Sequence, residues 1–529
     1  MVSPSESTSC AKVKTEPVTE SPHQQNWSPG QDKPGVNVRG VESVCDDQHE
    51  RVEAEMKYTS KAKFRQYAAA IIANMASFCI GTMLGWTSPM QPLLESSESP
   101  VGQLTREEIS WAGSINFIGA IAGTLFWGRL SDWLGRKCTG LIVAVPFAVG
   151  WFIILLAPSK IWLYVGRVAI GLGCSGTIIN TPMFVTEIAD DAIRGTLGSF
   201  LMFSLNVGCL FCYIVGAFTS YTVLTSVCLA VPVIYFVLFL FMPDSPAYLL
   251  TKNKKTAAEK SLLWYRGGDI VRTEKDLTSF QTRVCQKKAS YFSLIENKGR
   301  IKGMALSLGF IAGQQFCGIL AILTYSVTIF KESGSSISPY HSAIVVGSLQ
   351  CIASFTSSIL VDKAGRRVLL MTSYSIMALS LLSLGTYFWF RDVLGPEFSW
   401  IPVVSLSFHV ISYSLGAGPV PFIIMAELFP PNVRGIATST IQLVGTSLSF
   451  ASVKLFPWLN VLLGTNGCFL FFGFCCIALF FFTFFCVPET KGKTLQSILR
   501  KLNGEPLDEG EMITKVNAPI IQAKEFNGK

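Results

Sequence analysis

Two adjacent amides, Gln314 and Gln315, stand in an otherwise apolar run that closes Gln314-Gln315-Phe-Cys-Gly318. A primary amide offers two N–H donors and one carbonyl acceptor. A pair of them in an apolar helix suits exchange of hydrogen bonds with the hydroxyls of a neutral solute. Bonding between neighbouring helices is the other reading. The second set of reactive types is charged: Asp132, Arg136, Glu187 and Arg194, then Asp362, Arg366, Glu427 and Arg434. Acids and arginines at helix ends can pair or part, and partly buried pairs bias a two-state equilibrium by a few kcal/mol. No nucleophile–base pair, metal cluster or phosphate loop is present, so the sequence points away from an enzyme and from a metal site. The 15 cysteines are scattered, mostly inside apolar runs. Cys209 and Cys212, three apart, read as helix packing.

These groups sit in a chain of 529 residues that is 50% hydrophobic and only 15% charged. Its mean hydropathy is +0.43. A soluble protein of this length needs more charge on its surface, so the lipid bilayer is the first partner implied. The net charge of +8 lies in loops between apolar runs, so no nucleic-acid partner follows from it, and no obligate protein partner is evident. Residues 1–60 are polar, rich in Ser, Pro, Gln and charge, and predict a disordered cytoplasmic tail without a signal peptide. The sequon at Asn26 falls in that tail, where it would stay unmodified.

Twelve apolar runs of about 20 residues follow, each long enough to cross a ~30 Å hydrocarbon core as a helix. They lie near 67–88, 109–128, 138–157, 161–181, 196–217, 223–242, 303–325, 342–361, 368–390, 400–424, 436–458 and 467–487. Arg129, Arg136, Lys137, Arg194, Lys363, Arg366, Arg367 and Arg434 fall on alternate loops, which places both termini in the cytoplasm. The chain therefore divides into the tail at 1–60, a six-helix half at 61–242, a cytoplasmic linker at 243–302, a second half at 303–487 and a tail at 488–529. The linker's Ala257–Tyr265 stretch is amphipathic and predicts short helices on the inner surface.

Three motifs recur in order. Gly128-Arg-Leu-Ser-Asp132-Trp-Leu-Gly135-Arg136-Lys137 answers to Asp362-Lys-Ala-Gly365-Arg366-Arg367. Glu187 with Arg194-Gly195 answers to Glu427 with Arg434-Gly435, and Pro243-Asp244-Ser245 to Pro488-Glu489-Thr490. The offsets are 230, 240 and 245 residues, so the chain is a duplicated six-helix unit. Two parallel repeats place a solute cavity between them near mid-bilayer. Positive-inside anchoring explains the arginines but not acids at matched spacing, which favours a gating network.

At these residues the sequence resembles the sugar porter family of the major facilitator superfamily, most closely the insect trehalose-transporter-like branch. The likeness runs from about Arg65 to Leu502. It rests on Gly81-Thr-Met-Leu-Gly-Trp86-Thr-Ser-Pro89, the 128–137 motif, Arg167, Gln314 to Gly318, Gly416-Ala-Gly418-Pro419-Val-Pro421, and Pro488-Glu-Thr-Lys-Gly492. The resemblance implies an all-α, twelve-helix major facilitator fold, alternating access, no prosthetic group, and the plasma membrane as the family's usual location. It assigns Gln314, Gln315, Phe422 and Thr446 to the substrate site; Tyr325 is added to them as a candidate lid over the cavity. Gly171-Leu-Gly-Cys-Ser-Gly176 spells a dinucleotide fingerprint, but no strand precedes it, so its small residues are expected to serve helix packing.

The sugar contacts of the family are less well kept than its scaffold. Leu320 and Met202 stand where an asparagine and a glutamine are expected, Phe422 replaces a tryptophan, and Gly445-Thr446 replaces an Asn-Trp pair. Sugar selectivity should weaken accordingly. Met83 stands where proton-driven relatives carry an aspartate, so coupling to protons is not expected. His409 is the one central titratable group and reads as structural; Lys454 is expected to snorkel. Gly416, Gly418, Pro419 and Pro421 break the tenth helix and form a candidate hinge. The expected activity is facilitative transport of a hexose or trehalose. The alternatives are a carrier for another small solute and a non-transporting sensor of the same fold.

Overall fold

The computed structural model describes residues 60–284, 296–334, 337–487 and 489, and every regular element among them is helical. Most of the 1–60 and 488–529 tails and part of the 243–302 linker lie outside the described residues, as do Pro488, Thr490 and the side chain of Asp362. The first six spans are Ser60–Leu94, Arg106–Leu134, Arg136–Leu155, Lys160–Ile188, Arg194–Phe218 and Tyr221–Leu240. Three short helices follow, Pro246–Thr251, Lys255–Tyr265 and Ile270–Val284. The seventh span comes in two pieces, Lys298–Phe316 and Ile319–Ser333. Pro339–Ala364 and Arg366–Phe390 are the eighth and ninth.

Among the described residues, ten stretches are long and apolar enough to cross a membrane. The last of them, Val433–Cys486, has 54 residues. At ~1.5 Å per residue a straight helix of that length would far overshoot the bilayer. It instead folds back at Gly464 (φ 72°, ψ 165°), bringing Phe456 and Phe472 into a stack 6.2 Å apart. That fold makes two spans of one. The 26-residue Pro339–Ala364 supplies another, so ten plus two gives the expected twelve. The helices overrun their apolar runs: the first begins at Ser60 rather than near 67 and ends at Leu94 rather than near 88. Helical hydrogen bonding continues into polar residues where hydropathy carries no signal.

The sequence repeat is a repeat of geometry. Gly135 and Gly365 join consecutive spans with φ of 96° and 90°, backbone that a Cβ disfavours. At each junction a carboxylate from the end of the half caps the new helix. Asp244 accepts from the Lys137 N–H at 3.1 Å; Glu489 accepts from the N–H groups of Arg366 and Arg367 at 3.1 and 3.2 Å. A negative charge there meets unpaired N–H groups and the positive end of the helix dipole.

Small residues let the spans approach closely. A Cβ on Gly173 would meet the Phe147 ring at 2.6 Å, and one on Gly176 would meet Val143 at 2.5 Å and the Trp127 indole at 2.9 Å. The dinucleotide-like string is thus a packing surface. Cys212 faces Cys228 of the sixth span at 3.7 Å rather than Cys209. The linker helices attach to the first half. Gln66 donates to the Tyr265 carbonyl (3.1 Å) and accepts from the Asp190 N–H (2.9 Å), while Arg272 pairs with Asp190 at 2.6 Å. Arg266, 3% exposed, bridges Asp276 and the Ile188 carbonyl. The face carrying these helices is called the linker face below.

Candidate functional site

A cavity of about 140 Å³ lies between the two halves, lined by both. Its two walls differ in chemistry. The first half presents mainly apolar side chains, Ile80, Met83, Leu84, Phe117, Ala120 and Leu205, relieved by Asn116, Thr124 and Ser175. The second half presents Gln315, Tyr413, Gln442, Thr446 and Ser449, with Leu320 among them. Among the described residues no charged group lines the cavity.

The adjacent glutamines have separate tasks. Consecutive residues of a helix point about 100° apart, so only one can face the cavity squarely. That one is Gln315. The Ser449 hydroxyl, shared with the Gly445 carbonyl at 2.9 Å, donates to its Oε1 at 2.9 Å and the Ser452 hydroxyl to its carbonyl at 3.0 Å, which leaves its Nε2 for a solute. Gln314 turns away and donates to the carbonyls of Gly418 (3.1 Å) and Ala417 (3.4 Å) in the tenth span. Its role in this structure is the interhelical bond. Just beyond, the seventh span breaks at Gly318, whose φ of 80° suits glycine alone.

The tenth span is interrupted as its sequence requires. Ile401–Ser412 passes into a π-helical turn, Tyr413–Ala417, closed by the Gly418 N–H on the Tyr413 carbonyl at 2.8 Å, before Val420–Leu428 resumes. Pro419 and Pro421 provide no N–H for the carbonyls of Leu415 and Ala417. Neighbouring spans supply the missing donors: the Ser357 hydroxyl bonds Leu415 at 2.9 Å, and Gln314 bonds Ala417. Gly416 packs on the ninth span, where a Cβ would meet the Leu369 carbonyl at 2.8 Å. If this break is a hinge, alanine at both Gly418 and Pro419 should slow turnover while leaving surface expression unchanged. Equal turnover per molecule, measured as initial uptake normalised to surface protein, would make it a static kink.

Far from the linker face the halves are sealed. Tyr325 is 2% exposed, has non-helical backbone (φ −115°, ψ 17°), and stacks on Phe456 with centroids 5.3 Å apart. Its hydroxyl donates to the Val453 carbonyl at 3.3 Å. The Val327 N–H donates to the Ser88 hydroxyl (3.1 Å), and the Tyr213 hydroxyl to the Leu323 carbonyl (2.7 Å). Ser110 bonds the Lys454 carbonyl at 2.9 Å, and the Lys454 ammonium sits 4.1 Å from the Trp111 ring centroid. Lys454 therefore lies over an aromatic face of the other half, which a snorkelling lysine would not need. Tyr325 packs on Phe456 and Val453 of its own half and is not among the residues that line the cavity.

At the linker face the repeated charges pair within each half. Arg136 joins Glu187 at 3.1 Å and Asp132 at 3.3 Å; Arg366 joins Glu427 at 3.2 Å. Ser245 adds a hydrogen bond to Glu187. Arg194 does not reach Glu187: it pairs with Asp191 and bonds the Ala189 carbonyl. Arg434 bonds the Phe429 carbonyl. Gly195, Gly198 and Gly435, which begin the fifth and eleventh spans, have open space where a Cβ would stand.

Of the residues assigned to the solute site, Gln315 and Thr446 line the cavity. Gln314, Tyr325 and Phe422 do not, Phe422 being packed against the apolar core. Asn116, Gln442, Tyr413 and Ser449 are additional lining residues. A polar stripe at Gln442, Thr446 and Ser449, spaced i, i+4, i+7, was the available signal for one wall. His409 is fully buried and lies away from the cavity.

The family model described as "Sugar (and other) transporter" matches residues 69–502. The chain belongs to that family. A facilitated trehalose transporter Tret1-2 homolog of Drosophila simulans is 33% identical over 447 residues, 83% of this chain and 91% of its own length. Facilitated trehalose transporter Tret1 of Apis mellifera ligustica is 32% identical over 473 residues, 88% of this chain and 94% of its own. Among solved structures, the xylose transporter XylE from E. coli in a partially occluded inward open conformation has a TM-score of 0.69 at 21% identity. It covers 83% of this chain and 100% of its own. The proton:xylose symporter XylE bound to 6-bromo-6-deoxy-D-glucose has a TM-score of 0.67 at 22% identity, covering 82% and 98%. As a member of this family the chain is a multi-pass membrane protein of the major facilitator fold, and the resemblance read from its motifs holds.

Proposed function

We propose that this family member carries a neutral sugar, a hexose or trehalose, passively across a membrane by alternating access. The observation that carries the reading is the cavity between the halves, lined by uncharged hydrogen-bonding groups and sealed at one end only by inter-half contacts. Neutral donors and acceptors fit hydroxyls, and the absence of a charged lining group among the described residues gives a coupled ion no partner there. Relatives named facilitated trehalose transporters support the same substrate class. We read the linker face, rich in arginine, as cytoplasmic, the membrane as the plasma membrane, and the contacts at the far end as support for an inward-facing state. The Arg136 and Arg366 clusters hold the inner ends of each half together. Their approach as the inner mouth closes, with Arg194 and Arg434 at its rim, biases the equilibrium between states.

Leu320 and the apolar wall of the first half favour one other reading, a facilitative carrier for a less hydroxylated solute. Counterflow separates the two. Vesicles preloaded with unlabelled glucose or trehalose should transiently accumulate the labelled sugar. Counterflow by a non-sugar solute, with neither sugar active, would favour the other carrier.

A further inference from the structure

Asn116 of the second span lines the cavity at 2% exposure, and its amide is held in one orientation. Its Nδ2 donates to the Met83 sulfur at 3.0 Å, and the Cys174 thiol donates to the same sulfur at 3.1 Å. Turning the amide over would set its carbonyl oxygen against sulfur lone pairs. Held this way, Asn116 Oδ1 is buried with no hydrogen-bond partner among the described residues. An orphaned buried acceptor is costly to leave unpaired, so a ligand donor that meets it is favoured. The other half presents the reverse polarity, because Ser449 occupies Gln315 Oε1 and leaves the Nε2 donors.

We propose that Asn116 is a specificity-determining residue that, with Gln315, reads a single hydroxyl of the solute. The hydroxyl donates to Asn116 Oδ1 and accepts from Gln315 Nε2. A hydroxyl can do both at once, whereas a fluorine, an ether or a carbonyl can only accept. The cavity therefore selects solutes with a free hydroxyl at one position and rejects analogues capped or oxidised there. Met83 and Cys174 act as positioning residues that fix which end of the amide faces the solute. The inference rests on the sugar reading above.

The test is a panel of monodeoxy and monofluoro glucoses competing for labelled glucose uptake by the full chain in proteoliposomes. For the wild-type protein, one carbon should be found where both analogues bind roughly 10-fold or more weakly, the size of a lost buried hydrogen bond. In Asn116→Leu the fluoro analogue should bind about as well as the parent, the deoxy analogue should keep only the smaller loss set by Gln315, and discrimination at other carbons should stay. In Met83→Leu, which keeps Asn116 but frees its amide to turn, the fluoro analogue should regain most of its affinity. Discrimination at that carbon unchanged in both variants, or fluoro analogues as good as the parent at every carbon, would overturn the assignment. Should wild-type protein take up no sugar, the sugar reading falls and takes this one with it.

Discussion

Alanine at Gln315 is expected to weaken sugar binding by about 5- to 150-fold, corresponding to the ~1–3 kcal/mol of a lost buried hydrogen bond. Alanine at Gln314 should leave affinity nearly unchanged and lower thermal stability instead. The asymmetry follows from where the two amides point. Gln315 meets the cavity with its carbonyl oxygen held by Ser449, whereas Gln314 supplies the donor that Pro421 cannot give to the Ala417 carbonyl. Removing Gln314 orphans a backbone acceptor in the break of the tenth span. Ligand-induced thermal shift on the purified variants reads both effects. Equal loss of affinity in the two variants would mean that Gln314 turns into the cavity when a solute arrives.

Breaking the first-half charge cluster should be the larger effect on folding. Arg136 and Glu187 have side chains only 10% and 18% exposed, paired at 3.1 Å. Arg136→Ala leaves Glu187 without its cation and should cost about 3–5 kcal/mol, whereas replacing both residues with hydrophobes of similar size should cost far less. The matching Arg366→Ala should cost less, because Glu427 is 27% exposed and water relieves part of the loss. Unfolding temperatures of the two single variants and the double replacement test the ordering. A double replacement no more stable than Arg136→Ala would mean that Arg136 acts chiefly through Asp132 and the Ser131 carbonyl, which it also contacts.

The fold was legible because bilayer thickness writes itself into run length, and because duplication repeats whole motifs. Gly135 and Gly365 kept the same unusual backbone after duplication, and Asp244 and Glu489 kept the same capping task. Helix ends were less legible, since hydropathy falls silent where helices leave the hydrocarbon. The site was half legible. A Gln-Gln pair announces that polar groups matter, but only the phase of the helix decides which one meets the cavity. Asn116 was missed because one asparagine in an apolar span looks like any interhelical bond. Its meaning depends on Met83, 33 residues away, taking up the amide N–H. Phe422 was assigned by resemblance at a position that packs into the core. Repeated spacing links Glu187 to Arg194 in the sequence, but a nearer acid, Asp191, sits one turn before Arg194 and pairs with it.

Passive sugar transport through the neutral cavity is tested most directly by uptake of radiolabelled glucose and trehalose into proteoliposomes, with and without a pH gradient, beside Gln315→Ala. The expected result is saturable uptake of at least one sugar that equilibrates at the outside concentration, is indifferent to the gradient, and falls in the variant. Accumulation above equilibrium driven by the pH gradient would contradict a facilitator. Uptake equal in wild type and Gln315→Ala would contradict the cavity as the solute's path.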